Sequence, residues 1–209
     1  MSPLISILTI LGSLAWPCIL LFPSKPGSTR ERLDSDDASP EPDLSDVTVL
    51  IPARDEAESI RGTLSALDQQ GQNLAVIVID DQSTDGTADL AKKSFRGNLR
   101  IVPGKELPES WVGKLWALEQ GRQAAASKLI LLLDADIELA PGTIGVLKSK
   151  LKAENRDLVS LMAELRMQTL WEKVLSPAFI FFFKLLYPFA VGNDPRSRLG
   201  VAAGGCVLI

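Results

Sequence analysis

The sequence predicts an α/β fold with a largely parallel sheet, and three observations carry the prediction. The runs "VTVLIPA", "LAVIVID" and "KLILLLDAD" are apolar on both faces instead of alternating, as strands are when helices cover both sides of a sheet. Segments with helical periodicity separate these runs. Polar clusters follow them: "PARDE" after the first, "DDQSTDG" after the second and "DAD" after the last. Ligands of such sheets bind beyond the carboxyl ends of the strands, so three clusters on one edge mark a site.

The chain opens with Leu4 to Phe22, "LISILTILGSLAWPCILLF", nineteen residues without a charge. That is close to the ~20 residues a helix needs to cross a bilayer. A signal peptide would carry a basic start and a small-x-small cleavage site, and neither is evident here; a buried helix is the other alternative. Residues 1–23 are therefore expected to form an N-terminal transmembrane helix that anchors the chain. Lys25, Arg30 and Arg32 follow the run and nothing basic precedes it. The positive-inside rule then puts the catalytic domain on the cytoplasmic side of a cell inner membrane. Residues 24–46, rich in Pro, Ser and Asp, read as a flexible linker.

From Val47 strands and helices alternate, and residues 47–209 are expected to form one domain. "EAESIRGTLSAL" sets Ile60, Leu64 and Leu67 on one helical face. "GTADLAKKSF" reads as a short helix and "LRIV" as a weaker strand. "VGKLWALEQGRQAAA" is helical, with Leu115 and Leu118 inward. "PGTIGVLKSKLKA" opens a helix with Pro141 in its first turn, and "DLVSLMAEL" contains a further strand. Residues 171–192, "WEKVLSPAFIFFFKLLYPFAVG", are long enough to cross a membrane, but Glu172, Lys173 and Lys184 interrupt them and two prolines break them. A membrane-interfacial segment is favoured over a spanning helix or a core helix. Trp171 and Tyr187 suit the headgroup level.

Composition narrows the chemistry. The formal net charge of −4 argues against a nucleic-acid partner. With no histidine in the chain, histidine-based triads, acid–base steps and zinc sites are excluded. Cys18 and Cys206 have no CxxC spacing, so a disulfide framework or zinc site is not indicated. What remains are carboxylates, Lys, Arg, backbone amides and an oxygen-ligated metal.

Residues i and i+2 of a strand point the same way, so Asp134 and Asp136 are expected to face one point beyond the strand end. Two carboxylates there repel each other unless a cation sits between them, and oxygen ligation suits Mg²⁺ or Mn²⁺. The alternative is that one aspartate caps the next helix and the other is solvated. In "IDDQSTDGT", Asp85 or Thr87 caps a helix, which leaves Asp81 free to accept hydrogen bonds from a base or a ribose. Arg54, Asp55 and Glu56 either line a site or begin a helix. Gly113 and Lys114 stand near a helix start, where a lysine meets a diphosphate as a point charge. The "AAGG" of Ala202 to Gly205 permits close backbone approach to a ligand or marks a tight turn. A G-x-G-x-x-G after the first strand and a G-x-x-x-x-G-K-[ST] loop are both missing. The phosphatase D-x-D-x-T would need Thr where Glu138 stands, and "PARDEAES" is not the Gly-rich loop of a pyrophosphorylase.

In this order, "VTVLIPARDEAESI", "VIVIDDQSTDGT", "GKLWALEQG" and "LLLDADIE" resemble the GT-A glycosyltransferases of family 2. "LPESWVGKLWALEQG", "SPAFIFFFKLLYPFAVGNDPRSRLG" and "AAGGCVLI" resemble more closely the bacterial hopene-associated glycosyltransferases. The resemblance covers Val47 to Ile209. It implies a metal-dependent, inverting transfer of sugar from a nucleotide-diphosphate donor to a lipid or isoprenoid acceptor. By position, Asp134 and Asp136 would hold the Mg²⁺ or Mn²⁺. Asp81 would contact the nucleoside, Pro52, Ala53, Arg54 and Glu56 would line the base pocket, and Lys114 would reach the donor. Gly204 and Gly205 would lie on the acceptor side. The catalytic base of the family is the Asp of a Glu-Asp pair after the "GG" strand. The chain stops at "GGCVLI" before that pair, so it is expected to be C-terminally incomplete and inactive alone. The competing readings are an inactive nucleotide-sugar-binding or membrane scaffold, and a nucleotidyltransferase of related fold.

Overall fold

The structure is a computed structural model that describes residues 3–21, 32–33 and 42–209. Most of the expected linker, including Lys25 and Arg30, lies outside the described residues. The chain divides into two compact units, Leu33–Ala163 with Ala202–Ile209, and Met1–Arg32 with Glu164–Val201. The span expected as one domain is thus interrupted by residues that belong to the other unit.

The larger unit is built on a six-stranded sheet. β1 (Val47–Ala53), β2 (Ala75–Asp80), β3 (Asn98–Pro103) and β4 (Leu129–Leu133) are parallel to one another. β5 (Val159–Leu161) and β6 (Cys206–Leu208) complete the order β3-β2-β1-β4-β6-β5. β6 runs antiparallel to both β4 and β5, with Cys206 opposite Leu133 on one side and Leu161 on the other. The central strands are buried on both faces because two sets of side chains leave them in alternation. Val49, Ile51, Val76, Val78, Leu131 and Leu133 point to one face, where they meet Ile60, Leu64 and Leu67 of α2 (Ile60–Leu67), Ala91 of α3 (Thr87–Ser94), and Ile144 and Leu147 of α5 (Thr143–Ala153). Leu50, Ile77 and Ile79 point to the other face and pack on Ala117 of α4 (Gly113–Ala124). Each large side chain buried this way contributes roughly 1.5–3 kcal/mol.

Helix α4 turns inward through Ala117, Gln120 and Gly121, with Leu118 partly buried, whereas Leu115 is exposed. The sequence reading of Leu115 fails because the contact surface is made of small residues. A Cβ at Gly121 would lie 2.7 Å from Ile79 Cδ1 and 3.2 Å from Leu50 Cδ2. Pro141 precedes α5 instead of entering it, since Gly142 with φ +75° makes the turn into the helix. Gln70, fully buried, fixes this start: its amide donates to the Ala140 carbonyl at 2.9 Å, and its Oε1 accepts the Ile144 N–H at 3.1 Å. Residues 42–46, expected as the end of a flexible linker, pack on the sheet unit. Leu44 is fully buried and the Asp43 carboxylate accepts from Asn73 at 3.0 Å.

The other unit contains α1 (Pro3–Leu20), α6 (Leu170–Leu186) and the short α7 (Phe189–Gly192). Among the described residues, the helical stretch long and apolar enough to cross a membrane is Leu170–Gly192; the N-terminal helix is shorter. The expected N-terminal transmembrane helix corresponds to the 18-residue apolar α1, and residues 1–2 and 22–23 of that expected segment lie outside the described residues. Pro177 lies inside α6 and does not break it, and Pro188 marks the junction with α7. A capping box opens α6: Thr169 accepts the Glu172 N–H at 3.2 Å, and the Glu172 carboxylate accepts the Thr169 N–H at 2.7 Å.

Candidate nucleotide-sugar site

Ala53, Asp80 and Pro103 stand side by side in the register of β1, β2 and β3, and β4 ends next to β1. The three polar clusters of the sequence therefore leave the sheet at one edge. Two surface clefts along α2 and α3, of about 510 and 270 Å³, are lined by residues such as Arg61, Lys93 and Asn98 and do not include these clusters.

Most carboxylates of the first two clusters hold the loops together. Asp55, at φ +55°, accepts the Thr84 N–H at 2.7 Å, while its own N–H donates to the Ser83 hydroxyl at 3.0 Å. Asp85 accepts the N–H of Thr87, first residue of α3, at 3.0 Å and the Ala57 N–H at 2.9 Å. The Thr87 hydroxyl beside Asp85 and the Ala57 amide hold that carboxyl below its usual range. Asp80 accepts the Ser83 N–H at 3.2 Å, and Glu56 accepts the Ser59 hydroxyl at 2.6 Å. The N-cap of α3 is Gly86, which has no side chain to cap with, so Asp85 serves the first helical N–H from one residue further out. Glu56 is engaged with its own helix start instead of being free.

Asp81 is the exception. Its N–H donates to the Ala53 carbonyl at 2.8 Å, and its half-buried carboxylate has Arg54 at 3.7 Å. Pro52 and Ala53 form the strand end beneath it. Two glycines give it room: a Cβ at Gly104 would come within 2.9 Å of Asp81 Cα, and one at Gly113 within 4.0 Å of Asp81 Oδ2. Gly104 is a site residue the sequence reading missed; its signal was a glycine directly after a strand. Gln120, also missed, is buried on α4 and accepts the Lys105 N–H at 2.9 Å. Trp116 donates to the Lys105 carbonyl at 3.2 Å. Together they tether the loop between Gly104 and Gly113 to α4.

Lys114 follows Gly113 in the first turn of α4, and its Nζ lies 2.6 Å from Asp134 Oδ1. Asp134 Nα–H donates to the Gly205 carbonyl at 2.9 Å, and a Cβ at Gly205 would lie 3.5 Å from Asp134 Oδ2. Gly205 thus stands against Asp134, while Gly204 beside it is open on the surface. Behind them the Cys206 thiol is pushed up to about 12, by burial first and by the Asp134 charge second. The premise that Asp134 and Asp136 share a strand face does not hold: β4 stops at Leu133, and the Ile137 N–H closes a turn onto the Asp134 carbonyl at 3.2 Å. Ala135 is buried inside that turn, with its carbonyl accepting the Thr63 hydroxyl at 2.7 Å. Asp136 is exposed, and no hydrogen bond or ion pair engages it among the described residues.

The donor set fits a hard divalent cation. Among the described residues no three acidic, Cys or His side chains form a cage. One or two carboxylates beside a substrate phosphate are what Mg²⁺ or Mn²⁺ takes, with water filling the other positions.

A mostly parallel sheet with an acidic turn after β4 and, after β2, an aspartate approached by Arg54 and by no backbone amide among the described residues is the architecture of the GT-A class. The chain belongs to the family described as Glycosyl transferase family 2, whose model matches residues 48–208. It is 30% identical over 117 residues to the 4,4'-diaponeurosporenoate glycosyltransferase of Staphylococcus haemolyticus, covering 55% of this chain and 31% of that protein. It is 30% identical over 138 residues to the undecaprenyl-phosphate 4-deoxy-4-formamido-L-arabinose transferase of Pectobacterium carotovorum, covering 64% of this chain and 42% of that one. The chain thus spans less than half the length of these relatives. A mannosyltransferase from Pyrobaculum calidifontis, solved with GDP-Man and Mn²⁺, shares the fold with a TM-score of 0.62 at 20% identity, over 98% of this chain and 55% of that one.

Proposed function

We propose that this chain carries the donor half of a glycosyltransferase that moves a sugar from a nucleotide diphosphate to a lipid or isoprenoid acceptor, a hopanoid among the candidates, with inversion. The observation that carries the proposal is the convergence of Asp81, Gly113, Lys114 and Asp134 at the carboxyl edge of a family-2 sheet. Asp81 accepts from the nucleoside, with Arg54 steadying its carboxylate. Pro52, Ala53 and Glu56 form the floor beside the base. Asp134 and Asp136 hold the divalent cation, which supplies Lewis-acid neutralisation of the leaving diphosphate. Lys114 adds a point charge on the same diphosphate. Gly204 and Gly205 keep the edge beside Asp134 low enough for an acceptor to approach.

The two curated relatives are named for 4,4'-diaponeurosporenoate and for undecaprenyl phosphate, which supports a lipid-type acceptor and, with it, a location at the cell inner membrane. The membrane partner is the α6–α7 stretch, lying in the interface with the catalytic unit on the cytoplasmic side. Chain topology supports this over a span. β5 precedes the stretch and β6 follows it, yet the two pair in one sheet. A single crossing between them would put paired strands on opposite sides of the bilayer. The exposed apolar residues Trp171, Val174, Leu175, Phe179, Phe182 and Leu186 recur at helical spacing along α6, as an interfacial helix requires.

Calorimetric titration of UDP and GDP into the purified chain, with and without Mn²⁺, tests the donor site. The wild type should bind one of them in a metal-dependent way, and the Asp136→Ala variant should lose that dependence. Equal binding by the variant and the wild type would overturn the metal assignment.

A further inference from the structure

We infer that Lys114 is a placeholder cation on the donor site. In the free protein its ammonium holds Asp134, and it leaves that carboxylate when a diphosphate arrives, so that divalent-cation binding and diphosphate binding reinforce each other. The inference rests on the donor-site reading above and adds to it the order in which the site is assembled.

Four observations carry it. The Lys114 Nζ to Asp134 Oδ1 distance is 2.6 Å, a charge-assisted contact that occupies a carboxylate the metal needs. The two side chains keep 49% and 31% of their exposure, so the four-carbon stem has room to swing away. Lys114 sits in the first turn of a twelve-residue helix, where the macrodipole disfavours a cation. It therefore needs an anionic partner in every state of the site: Asp134 when the site is empty and the diphosphate when it is filled. Finally, the other side of Asp134 offers no competing cation. Oδ2 faces Gly205, which has no side chain.

The sequence of contacts follows from charge. Lys114 offsets the Asp134 charge while the site is empty. A free divalent cation must displace that ammonium and then sit beside it. A diphosphate removes both obstacles, because it draws Lys114 off Asp134 and brings its own oxygens to the metal. Linkage makes the effect reciprocal: whatever factor the diphosphate gains from the metal, the metal gains from the diphosphate.

The test measures Mn²⁺ binding itself, by the paramagnetic signal of free Mn²⁺, on the full 209-residue chain with and without UDP or GDP. In Lys114→Met, Mn²⁺ alone should bind about two- to fivefold more tightly than in the wild type, the range set by an exposed ion pair. The tightening caused by nucleotide should shrink by at least that factor. Lys114→Gln should behave like the Met variant, and Lys114→Arg, which keeps the charge, should resemble the wild type. If both neutral variants bind Mn²⁺ alone no better than the wild type while nucleotide-dependent binding persists, the placeholder role is wrong and the donor site stands. If the wild type binds no Mn²⁺ even with nucleotide, the donor-site reading falls and this inference falls with it.

Discussion

Asp55 Oδ1 accepts both the backbone N–H of Thr84, at 2.7 Å, and its hydroxyl, at 3.2 Å, so one carboxylate ties the loop after β1 to the loop after β2. Asp55 does this at φ +55°, a left-handed conformation that Asp and Asn tolerate better than other side chains. Asp55→Ala removes the acceptor and leaves a less tolerant residue there, at an expected loss of about 1–2 kcal/mol in urea unfolding. Asp55→Asn keeps an acceptor and the conformation and should lose less than half as much. Because Asp81 sits in the tied loop, nucleotide affinity should fall in the Ala variant as well.

Gln70 is fully buried, and its bond to the Ile144 N–H is out of water. Gln70→Ala would strip an acceptor from the Ile144 N–H at the start of α5 and a donor from the Ala140 carbonyl. Of the two, only the Ile144 N–H would be left buried and unpaired, because the Ala140 carbonyl also accepts the Thr143 hydroxyl at 2.7 Å; such an unpaired donor costs about 1–3 kcal/mol. Chemical denaturation should register that loss, with the slope of the transition unchanged.

Gly121 is the contact point of α4 with the sheet. Gly121→Val would drive a side chain into Ile79 and Leu50, and overpacking of this kind costs about 1–3 kcal/mol. The melting temperature should drop, and the drop should shrink when Ile79→Val is added, since that change removes the Cδ1 atom in the way.

The Cys206 thiol, raised by burial to about 12, gives a pH signature. A raised folded pKa means the native state holds the proton more tightly than the unfolded state. The associated stability is fully present below pH 9 and is lost as pH climbs from about 9 toward about 12. Alkaline unfolding of Cys206→Ala should be less steep over that window than that of the wild type. At pH 8.5 a maleimide should modify the exposed Cys18 and leave the buried Cys206 untouched in the folded chain.

An interfacial α6–α7 predicts that residues on either side of the stretch face the same compartment. Cysteines introduced at Glu164 and at Arg198, in a Cys18→Ser background, should both react with a membrane-impermeant maleimide from the same side of sealed vesicles. Reaction from opposite sides would sink the interfacial placement. Phe179→Glu with Phe182→Glu should lower partitioning onto anionic vesicles at least tenfold, roughly the loss of two buried aromatic rings.

The strands and the edge that carries the site were legible in the sequence because β1, β2 and β4 are unbroken apolar runs followed by acids. What was not legible is the division of labour among those acids. Asp55, Asp80, Asp81 and Asp85 look alike in a string. Only the fold shows that three of them hold backbone amides and that Asp81 is left over. The relation between Asp134 and Asp136 was misjudged because strand alternation was extended past Leu133 into a turn. Leu115 was misplaced because a helix that contacts a sheet through Ala117 and Gly121 leaves no hydrophobic stripe to read. Gln70 gave no signal at all, since a buried glutamine is recognisable only from the ends of the helices it joins.

The insertion of β6 between β4 and β5 also sets the order in which the sheet can form. β5 has no other partner in the sheet, so once residues Val159–Leu161 have been synthesised they must wait, unpaired, until Cys206–Leu208 arrive. The loop that closes at that moment contains the whole exposed apolar length of α6, and its closure is a non-local event of the kind that slows folding. A nascent chain is therefore exposed to aggregation during this interval unless α6 has already found a membrane. Truncation before Cys206 would remove two strands from the sheet instead of one.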